Sequence, residues 1–433
     1  MTARLLAVLP DRLLLVLLWT CLSVGVTTVA GVHRPVVVLP LTGLLVAATW
    51  RWHPPRPPVC RGDGAAAALC LLVVAGWVLV QLPFASERLV VTRDPDVYTL
   101  AALDLVDSAE PAIDVVVGST ASIGFSSDGG GALLPQGAHV VPALAAVAGW
   151  VGGTGAVLAA NLVLGGAALV SLFALGRRVV GSWWALVPVA ALALSLPMVA
   201  FSRALYSEPL AAALTLLGAA LLVDAWRLGR SHDLLLAGLA LGAVALVRID
   251  GLLVLAGVLA GLTPLALLTG RAAEPARRWG SLLVAAGAVP VGLLGLADVV
   301  RWSGDYAGDL LSQLAPLAAA ATVAVVLSAV VAGLVSWRAL PPAVPRWTAR
   351  AAPVLGCVLV VLWVALATRP AWYESRAGKS NSLVAALQSA EGAAVDGRRQ
   401  YHELSLLWLH WHWGPVTVVL GLLGLAAWVA LGL

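Results

Sequence analysis

The sequence predicts an all-α polytopic membrane protein with about twelve transmembrane helices and a long first extracytoplasmic loop that carries juxtamembrane helices. Hydrophobic residues make up 61% of the 433 positions and charged residues only 11%, against about 25% charged residues in soluble domains. Apolar runs long enough to cross a hydrocarbon layer of ~30 Å recur along the whole chain. These features exclude a soluble domain, and without a Lys- and Arg-rich tract the sequence offers no site for nucleic acid.

The apolar runs define twelve spans when the N-terminus is placed in the cytoplasm. They cover residues 13–31, 35–50, 64–84, 154–175, 182–201, 209–226, 234–248, 251–269, 280–297, 310–336, 351–368 and 415–433. With this orientation more than half of the 26 Lys and Arg residues fall in inner segments, as the positive-inside rule requires. No small-residue cleavage site follows the first run, which is therefore interpreted as a span of a multi-pass cell membrane protein.

The spans suggest two parts of unequal size. Residues 1–63 supply two additional N-terminal spans and a basic inner loop, for which the sequence indicates no role. Residues 64–433 form the main transmembrane domain, which long outer loops interrupt at about 85–153 and 369–414.

The first outer loop is expected to contain three different segments. A surface helix is predicted at 95–108 and an irregular stretch rich in small residues at 118–131. The apolar run 140–151 is too short to cross a membrane easily and is interpreted as an interfacial helix.

This loop includes, just after the third span, the polar stretch Arg93-Asp94-Pro95-Asp96-Val97-Tyr98. Ionised groups at the edge of a membrane are costly and are seldom kept without a function. Asp94 before Pro95 also fits a helix N-cap, with the proline at the first helical position. Both interpretations stay open, because a capping carboxylate can still face a cavity.

A second polar group lies in the turn between the fifth and sixth predicted spans. It contains Arg203, Tyr206 and Glu208, although Pro209 alone would be enough to start the next helix. An anchor at the membrane interface is the structural alternative for Arg203 and Tyr206.

A third polar group, Arg248-Ile249-Asp250-Gly251, ends a short predicted span. About fourteen apolar residues rise only ~21 Å in a helix, so Arg248 and Asp250 are expected below the outer surface. At that depth polar groups are paired or face a water-filled cavity. A structural Arg–Asp pair is one alternative, although residues two apart on a helix do not face each other.

These groups form an ordered set of motifs along the chain. The set consists of Asp94-Pro95-Asp96-Val97-Tyr98, Gln136-Gly137-Ala138-His139, the inner turn 176–181, Ser202-Arg203 with Tyr206-Ser207-Glu208-Pro209, and Arg248-Ile249-Asp250-Gly251. Their order and side of the membrane resemble the membrane-embedded glycosyltransferases of the GT-C superfamily. The nearest group is the family 39-like proteins of actinobacterial type, related to protein O-mannosyltransferases and aminoarabinose transferases. The resemblance covers about residues 64–270, and more loosely 408–414.

The resemblance implies an inverting hexosyl or pentosyl transferase of the cell envelope that acts on the extracytoplasmic face. The donor would be a polyprenyl-phosphate-linked sugar and the acceptor a glycan, lipid or protein, with membrane lipids around both. Asp94 would be the general base and Asp96 the second catalytic carboxylate, since an attacking hydroxyl must lose its proton. No cofactor is assigned, and a divalent metal stays open.

The leaving group in such a reaction is a lipid phosphate, and nearby cations would stabilise its charge. Arg203 and Arg248 are the first candidates and Arg93 is the third. The full set of residues expected to bind substrate is Arg93, Tyr98, Gln136, His139, Arg203, Tyr206, Glu208, Arg248 and Asp250.

The main alternative is a polytopic transporter or flippase for lipid-linked or small substrates. Transporters place ionisable residues near mid-membrane, often in broken helices that are repeated between two halves. In this sequence such residues collect at outer helix ends and in outer loops, and no repeat is visible, so a transferase is favoured. An inactive homologue that serves as an assembly subunit is the third alternative.

Overall fold

The computed structural model describes residues 2–50, 62–86, 94–114, 124–127, 131–269 and 279–337, together with isolated positions between 361 and 392. The chain divides into two compact units. One comprises Met1–Leu194 and Met198–Pro345, and the other comprises Ser195–Pro197 and Arg346–Leu433. The contacts described below all lie within the first unit.

The described part is built mainly of helices. They are α1 (Thr2–Ala30), α2 (Pro35–Thr49), α3 (Asp63–Gln81), α4 (Asp94–Leu105), α5 (Val140–Val179), α6 (Leu186–Ala193), α7 (Leu196–Ser202), α8 (Glu208–Leu228), α9 (Ser231–Val247), α10 (Gly251–Thr269), α11 (Gly280–Trp302) and α12 (Gly304–Trp337). A turn of 3-10 helix, Leu82–Phe84, follows α3. Strands β1 (Ile113–Asp114), β2 (Phe125–Ser127) and β3 (Ala132–Pro135) form an antiparallel sheet in the order β1-β3-β2, with Ile113 opposite Leu133 and Ser126 opposite Leu134.

Among the described residues, six helical segments are long and apolar enough to cross a membrane. They are Arg4–Ala30, Asp63–Phe84, Val140–Val179, Glu208–Leu228, Gly280–Trp302 and Ala315–Leu334. The predicted class, an α-helical membrane protein, is therefore confirmed, whereas the number of twelve spans is not. Three other predicted spans form the shorter apolar helices Pro35–Thr49, Ser231–Val247 and Gly251–Thr263.

The remaining predicted spans give no continuous helix in the described residues. The predicted span 182–201 is divided into α6 and α7, and Pro197 in the first turn of α7 favours a new helix start at this point. The predicted span 415–433 lies outside the described residues, as does 351–368 apart from three positions.

The first long loop is more ordered and more buried than the sequence suggested. Helix α4 matches the helix predicted at 95–108, but most of its residues are buried, so it is not a surface helix. It packs against α5. Part of the stretch predicted to be irregular, 118–131, forms strand β2, whose partner β3 lies outside that stretch. The residues 115–123 and 128–130 lie outside the described part.

Helix α5 contains a break that separates the predicted interfacial helix from the following span. Gly153 has φ 64° and ψ −158°, which no α-helical residue adopts. The part of α5 before the break is buried from Val140 to Ala146. Its start is therefore held by protein contacts, immediately after the loop that contains Gly137 and His139.

The N-terminal helix α1 is part of the core of the first unit. It packs against α3, α5 and α11, and its residues Leu14 and Leu18 are fully buried. Its Asp11 carboxylate accepts hydrogen bonds from Arg177 and Arg178 near the end of α5. Arg178 also donates to Asp224 of α8 at 2.7 Å. This buried ion network joins three helices, and it gives the first of the two additional N-terminal helices a structural role.

Helices α9 and α11 approach each other closely enough to bring their backbones into contact. A Cβ atom at Gly238 would lie 2.2 Å from the Val284 carbonyl oxygen, and one at Gly242 would lie 2.6 Å from that of Ala288. On the facing helix, a Cβ at Gly287 would lie 2.4 Å from the Leu235 carbonyl oxygen. Glycine at these positions lets the two helices pack without a gap.

Candidate functional site

A cavity of about 260 Å³ brings together four of the polar segments in the first unit. Its walls come from the start of α4, the loop before α5, the start of α8, the α9–α10 turn and the first part of α12. The lining residues are Asp94, Tyr98, Gly137, Ala138, Ser207, Val247, Arg248, Ile249, Asp250, Tyr306 and Leu317.

The start of α4 contributes one of the two predicted catalytic carboxylates. Asp94 is exposed and lines the cavity, whereas Asp96 is fully buried and is not among the lining residues. Tyr98 lies one turn after Asp94, where side chains four apart share a helix face. The structure therefore separates the two carboxylates and places Asp94 beside Tyr98.

The Gln136-Gly137-Ala138-His139 segment contributes its backbone to the same wall. Gly137 has φ +103°, a conformation that side chains rarely allow, and a Cβ atom there would lie 2.8 Å from the Tyr98 hydroxyl oxygen. The glycine is therefore needed both for the turn and for the close approach of Tyr98. Gln136, predicted to bind substrate, is not among the lining residues, and its N–H donates to Gly124.

His139 holds this loop in place and is not itself a lining residue. Its backbone N–H donates to the Asp298 carboxylate at 2.8 Å, and its Nδ1 lies 3.3 Å from both carboxylate oxygens. Nε2 lies 3.2 Å from the Pro135 carbonyl oxygen. Ser303 donates to the same oxygen at 2.6 Å, so the end of α11 fixes the loop from two directions. His139 thus acts as a positioning residue for Gly137 and Ala138.

Arg248 lies at the point where α9 ends and the chain becomes extended, with φ −146° and ψ 135°. Its Nε and Nη2 donate to Asp250 at 2.9 and 3.2 Å, and its Nη1 donates to Ser207 at 3.1 Å and to Glu208 at 2.5 Å. The structural Arg248–Asp250 pair that the sequence left open as an alternative is therefore present. The rule that residues two apart on a helix do not face each other does not apply, because the two residues do not share a helix.

Gly251 makes this turn possible. A Cβ atom at Gly251 would lie 2.5 Å from the backbone of Val244 and Ala245 in the last turn of α9. A larger residue would push α10 away from α9 and move Arg248 and Asp250 with it.

The described charged groups give the cavity an excess of negative charge. Asp94 and Asp250 line it and Glu208 lies against its wall, whereas Arg248 is the only cation among the described lining residues. Burial, reinforced by the nearby Asp94 carboxylate, raises the pKa of both Tyr98 and Tyr306. Tyrosine is protonated at neutral pH even without such a shift, so both phenols can donate hydrogen bonds to a ligand.

Two predicted binding residues make other contacts. Arg203 donates through Nε to Gln81 at 2.8 Å and stacks over the Phe84 ring, with its guanidinium carbon 4.6 Å from the ring centre. Tyr206 packs edge-on against Phe201, with ring centres 5.1 Å apart. Neither lines the cavity, so these contacts favour the structural alternative. Arg93 lies outside the described residues.

Three lining residues lie outside the quoted motifs, namely Val247, Tyr306 and Leu317, and a fourth, Ser207, lies within a motif but was not predicted to bind substrate. Ser207 lies between two predicted residues in the turn before α8, which is a signal that could have been used. Tyr306 lies in α12, far from every motif in sequence, and only the packing of α12 brings it to Asp94. Among the described residues, no group of three His, Cys, Asp or Glu side chains could hold a metal ion.

Comparisons of the chain with protein-family models, with curated proteins and with solved structures give no significant match. The resemblance to GT-C glycosyltransferases therefore depends on the sequence motifs alone.

Proposed function

We propose that this protein is an inverting glycosyltransferase that moves a sugar from a polyprenyl-phosphate donor to an acceptor hydroxyl on the extracytoplasmic face of the membrane. The observation that supports it most is the convergence of Asp94, Tyr98, Arg248 and Asp250 on one cavity. These residues come from two segments that are far apart in the sequence.

The arrangement fits a single displacement at the anomeric carbon. The acceptor oxygen forms a bond to that carbon while Asp94 takes its proton, which is the role of a general base. The bond between the anomeric carbon and the phosphate oxygen breaks, and the phosphate leaves with the bonding electrons. Attack opposite to the leaving group inverts the configuration, and Arg248 offers the positive charge that a departing phosphate needs.

The cavity wall has a mixed character that suits such a donor. Val247, Ile249 and Leu317 supply apolar surface for the start of a prenyl chain. Tyr98 and Tyr306 supply hydroxyl groups that can bond to sugar or phosphate oxygens.

The central test is the Asp94→Asn variant. The amide keeps the shape of the side chain but cannot take a proton, so we expect transfer to fall by about 10²–10⁴-fold while the melting temperature is unchanged. The measurement is sugar transfer from a panel of polyprenyl-phosphate sugars by the purified protein in detergent.

Asp107→Asn is the matched control, because Asp107 is an exposed carboxylate just after α4 that does not line the cavity. Asp96→Asn should have a milder effect on transfer than Asp94→Asn. Near-normal turnover in Asp94→Asn would exclude Asp94 as the base. If the wild-type protein instead moves an intact lipid-linked sugar across a liposome membrane without consuming it, the protein is a flippase.

A further inference from the structure

The hydrogen-bonding capacity of Arg248 is almost fully used within the protein. A guanidinium group has five N–H donors. Asp250 takes the Nε donor and one Nη2 donor, and Ser207 and Glu208 are contacted by Nη1. Nε and Nη2 form an edge that could donate two parallel hydrogen bonds to a phosphate, and Asp250 occupies this edge. A phosphate can bind there in a bidentate manner only if Asp250 moves away.

The two carboxylates differ in how easily they can leave. The Asp250 side chain is 58% exposed and the Glu208 side chain 38%. Asp250 lies in the short turn between α9 and α10, where rotation of its side chain into solvent is open. Glu208 is in the first turn of α8 and makes the shorter contact, at 2.5 Å. Asp250 is therefore the partner that a ligand would displace.

We infer that Asp250 competes with the anionic group of the ligand for Arg248, so that an anion binds only if its other contacts with the cavity compensate for displacing Asp250. The inference rests on the proposed function to the extent that it takes a phosphate monoester as the ligand. When a small free anion displaces Asp250, its new contact with Arg248 only replaces the contact that Asp250 loses. An anion attached to a hydrocarbon chain also buries apolar surface against Val247, Ile249 and Leu317, which favours it further. Asp250 thereby lowers the affinity of the cavity for every anion, and the apolar surface leaves lipid-linked phosphates as the anions that still bind well.

The test is a binding measurement by calorimetry on the purified full chain in detergent, with farnesyl phosphate and inorganic phosphate as probes. The wild-type protein should bind farnesyl phosphate and show much weaker binding of inorganic phosphate. Asp250→Asn should bind both probes about three- to fivefold more tightly, the range expected when a partly exposed ion pair is removed. Glu208→Gln should give a smaller gain, because it leaves the bidentate edge paired with Asp250.

Two further variants make the result specific. Asp305→Asn removes an exposed negative charge near Tyr306 without touching Arg248, and it should change affinity by less than about twofold. In the Arg248→Ala/Asp250→Asn double variant the gain should disappear. The inference is overturned if Asp250→Asn binds the probes no more tightly than wild type, if Glu208→Gln gains as much, or if the gain survives without Arg248.

The melting temperature of each variant shows whether it is folded, and only folded variants enter the comparison of binding affinities. Since no sugar is present, this experiment can fail while the proposed transfer reaction is observed in the wild type. Conversely, a protein that binds the probes as expected but transfers no sugar would refute the proposed function alone.

Discussion

At the scale of single residues, Arg248 combines a structural role with a candidate binding role. Its contacts to Ser207, Glu208 and Asp250 connect the start of α8 to the α9–α10 turn. The same guanidinium is the cation that the described part of the cavity wall presents to a ligand. Replacing it therefore affects both stability and binding, and the two effects must be measured on the same samples.

Arg248→Ala is expected to weaken donor binding more than it lowers stability. Its side chain is 33% exposed, so loss of the ion pairs should cost only about 1–2 kcal/mol, less than for a fully buried pair. Arg248→Lys should restore binding only in part, because a point charge lacks the planar fork. The measurements are donor binding and melting temperature on the purified variants. Normal donor binding with a much lower melting temperature would assign Arg248 a purely structural role.

Gly137 gives a second prediction at the residue scale. In Gly137→Ala the new methyl group would contact the Tyr98 hydroxyl and push the phenol out of place. We expect transfer activity or donor binding to fall at least about tenfold, the effect of a small misplacement at a reacting centre.

Gly131→Ala is the matched control for this change. Gly131 has nearly the same backbone angle, φ +106°, but a Cβ atom there would meet nothing within 4 Å. Both variants place a side chain at a similar positive φ, and only Gly137→Ala disturbs Tyr98. Equal losses in the two variants would show that backbone strain, not the tyrosine contact, is responsible.

At the scale of elements, the cavity depends on helices that are held in fixed positions. Helix α9 ends at Arg248, and α11 ends near Asp298 and Ser303, which fix the loop containing Gly137. The close packing of α9 on α11 therefore fixes the position of two walls of the cavity relative to each other. A change in the distance between α9 and α11 would therefore displace both Arg248 and the loop that contains Gly137.

Gly242→Ala tests this packing. Its methyl group would lie 2.6 Å from the Ala288 carbonyl oxygen, and backbone atoms cannot move aside as a flexible side chain can. We expect a loss of about 1–3 kcal/mol, as for overpacking in a core, seen as a lower melting temperature. Gly257→Ala in α10 is the control, because nothing lies within 4 Å of its Cβ position. Similar melting temperatures in the two variants would mean that α9 and α11 do not meet through glycine.

At the scale of the whole molecule, two groups of charged residues lie at opposite ends of helix α8. Helix α8 has 21 residues and is therefore ~31 Å long. Asp224, near its end, belongs to the buried Asp11 network, whereas Glu208, at its start, binds Arg248 beside the cavity. This separation agrees with the proposed topology, which assigns the two groups to opposite sides of the membrane.

Cysteine labelling tests which side the cavity faces. Ser127 is exposed at the end of β2 in the first long loop. A cysteine introduced there should react with an impermeant thiol reagent added to intact cells, whereas the native Cys60, predicted in an inner loop, should not react until the membrane is opened. Cys21 and Cys70 are buried and should contribute no background. The reverse pattern would place the cavity in the cytoplasm and contradict the proposed orientation.

The class of this protein could be predicted from the sequence, because the length and apolarity of a transmembrane helix are local properties. The same reasoning identified Asp94, Tyr98, Arg248 and Asp250, since a polar residue next to an apolar run stands out without knowledge of its neighbours. Helix breaks could also be located in part, as with Arg248-Ile249-Asp250-Gly251, where the sequence left a pair between Arg248 and Asp250 open and the structure shows it.

Only the tertiary structure decided which polar residues meet. It separated Asp94 from Asp96 because the direction of a side chain depends on what packs against the helix. It also assigned His139 to a partner, Asp298, that lies far away in the sequence, and brought Tyr306 to the cavity. Such pairings arise from contacts between distant segments, and one sequence contains no signal that specifies them. The apolar pattern therefore determined the kind of protein, while the packing of α4, α9, α11 and α12 determined the composition of its cavity.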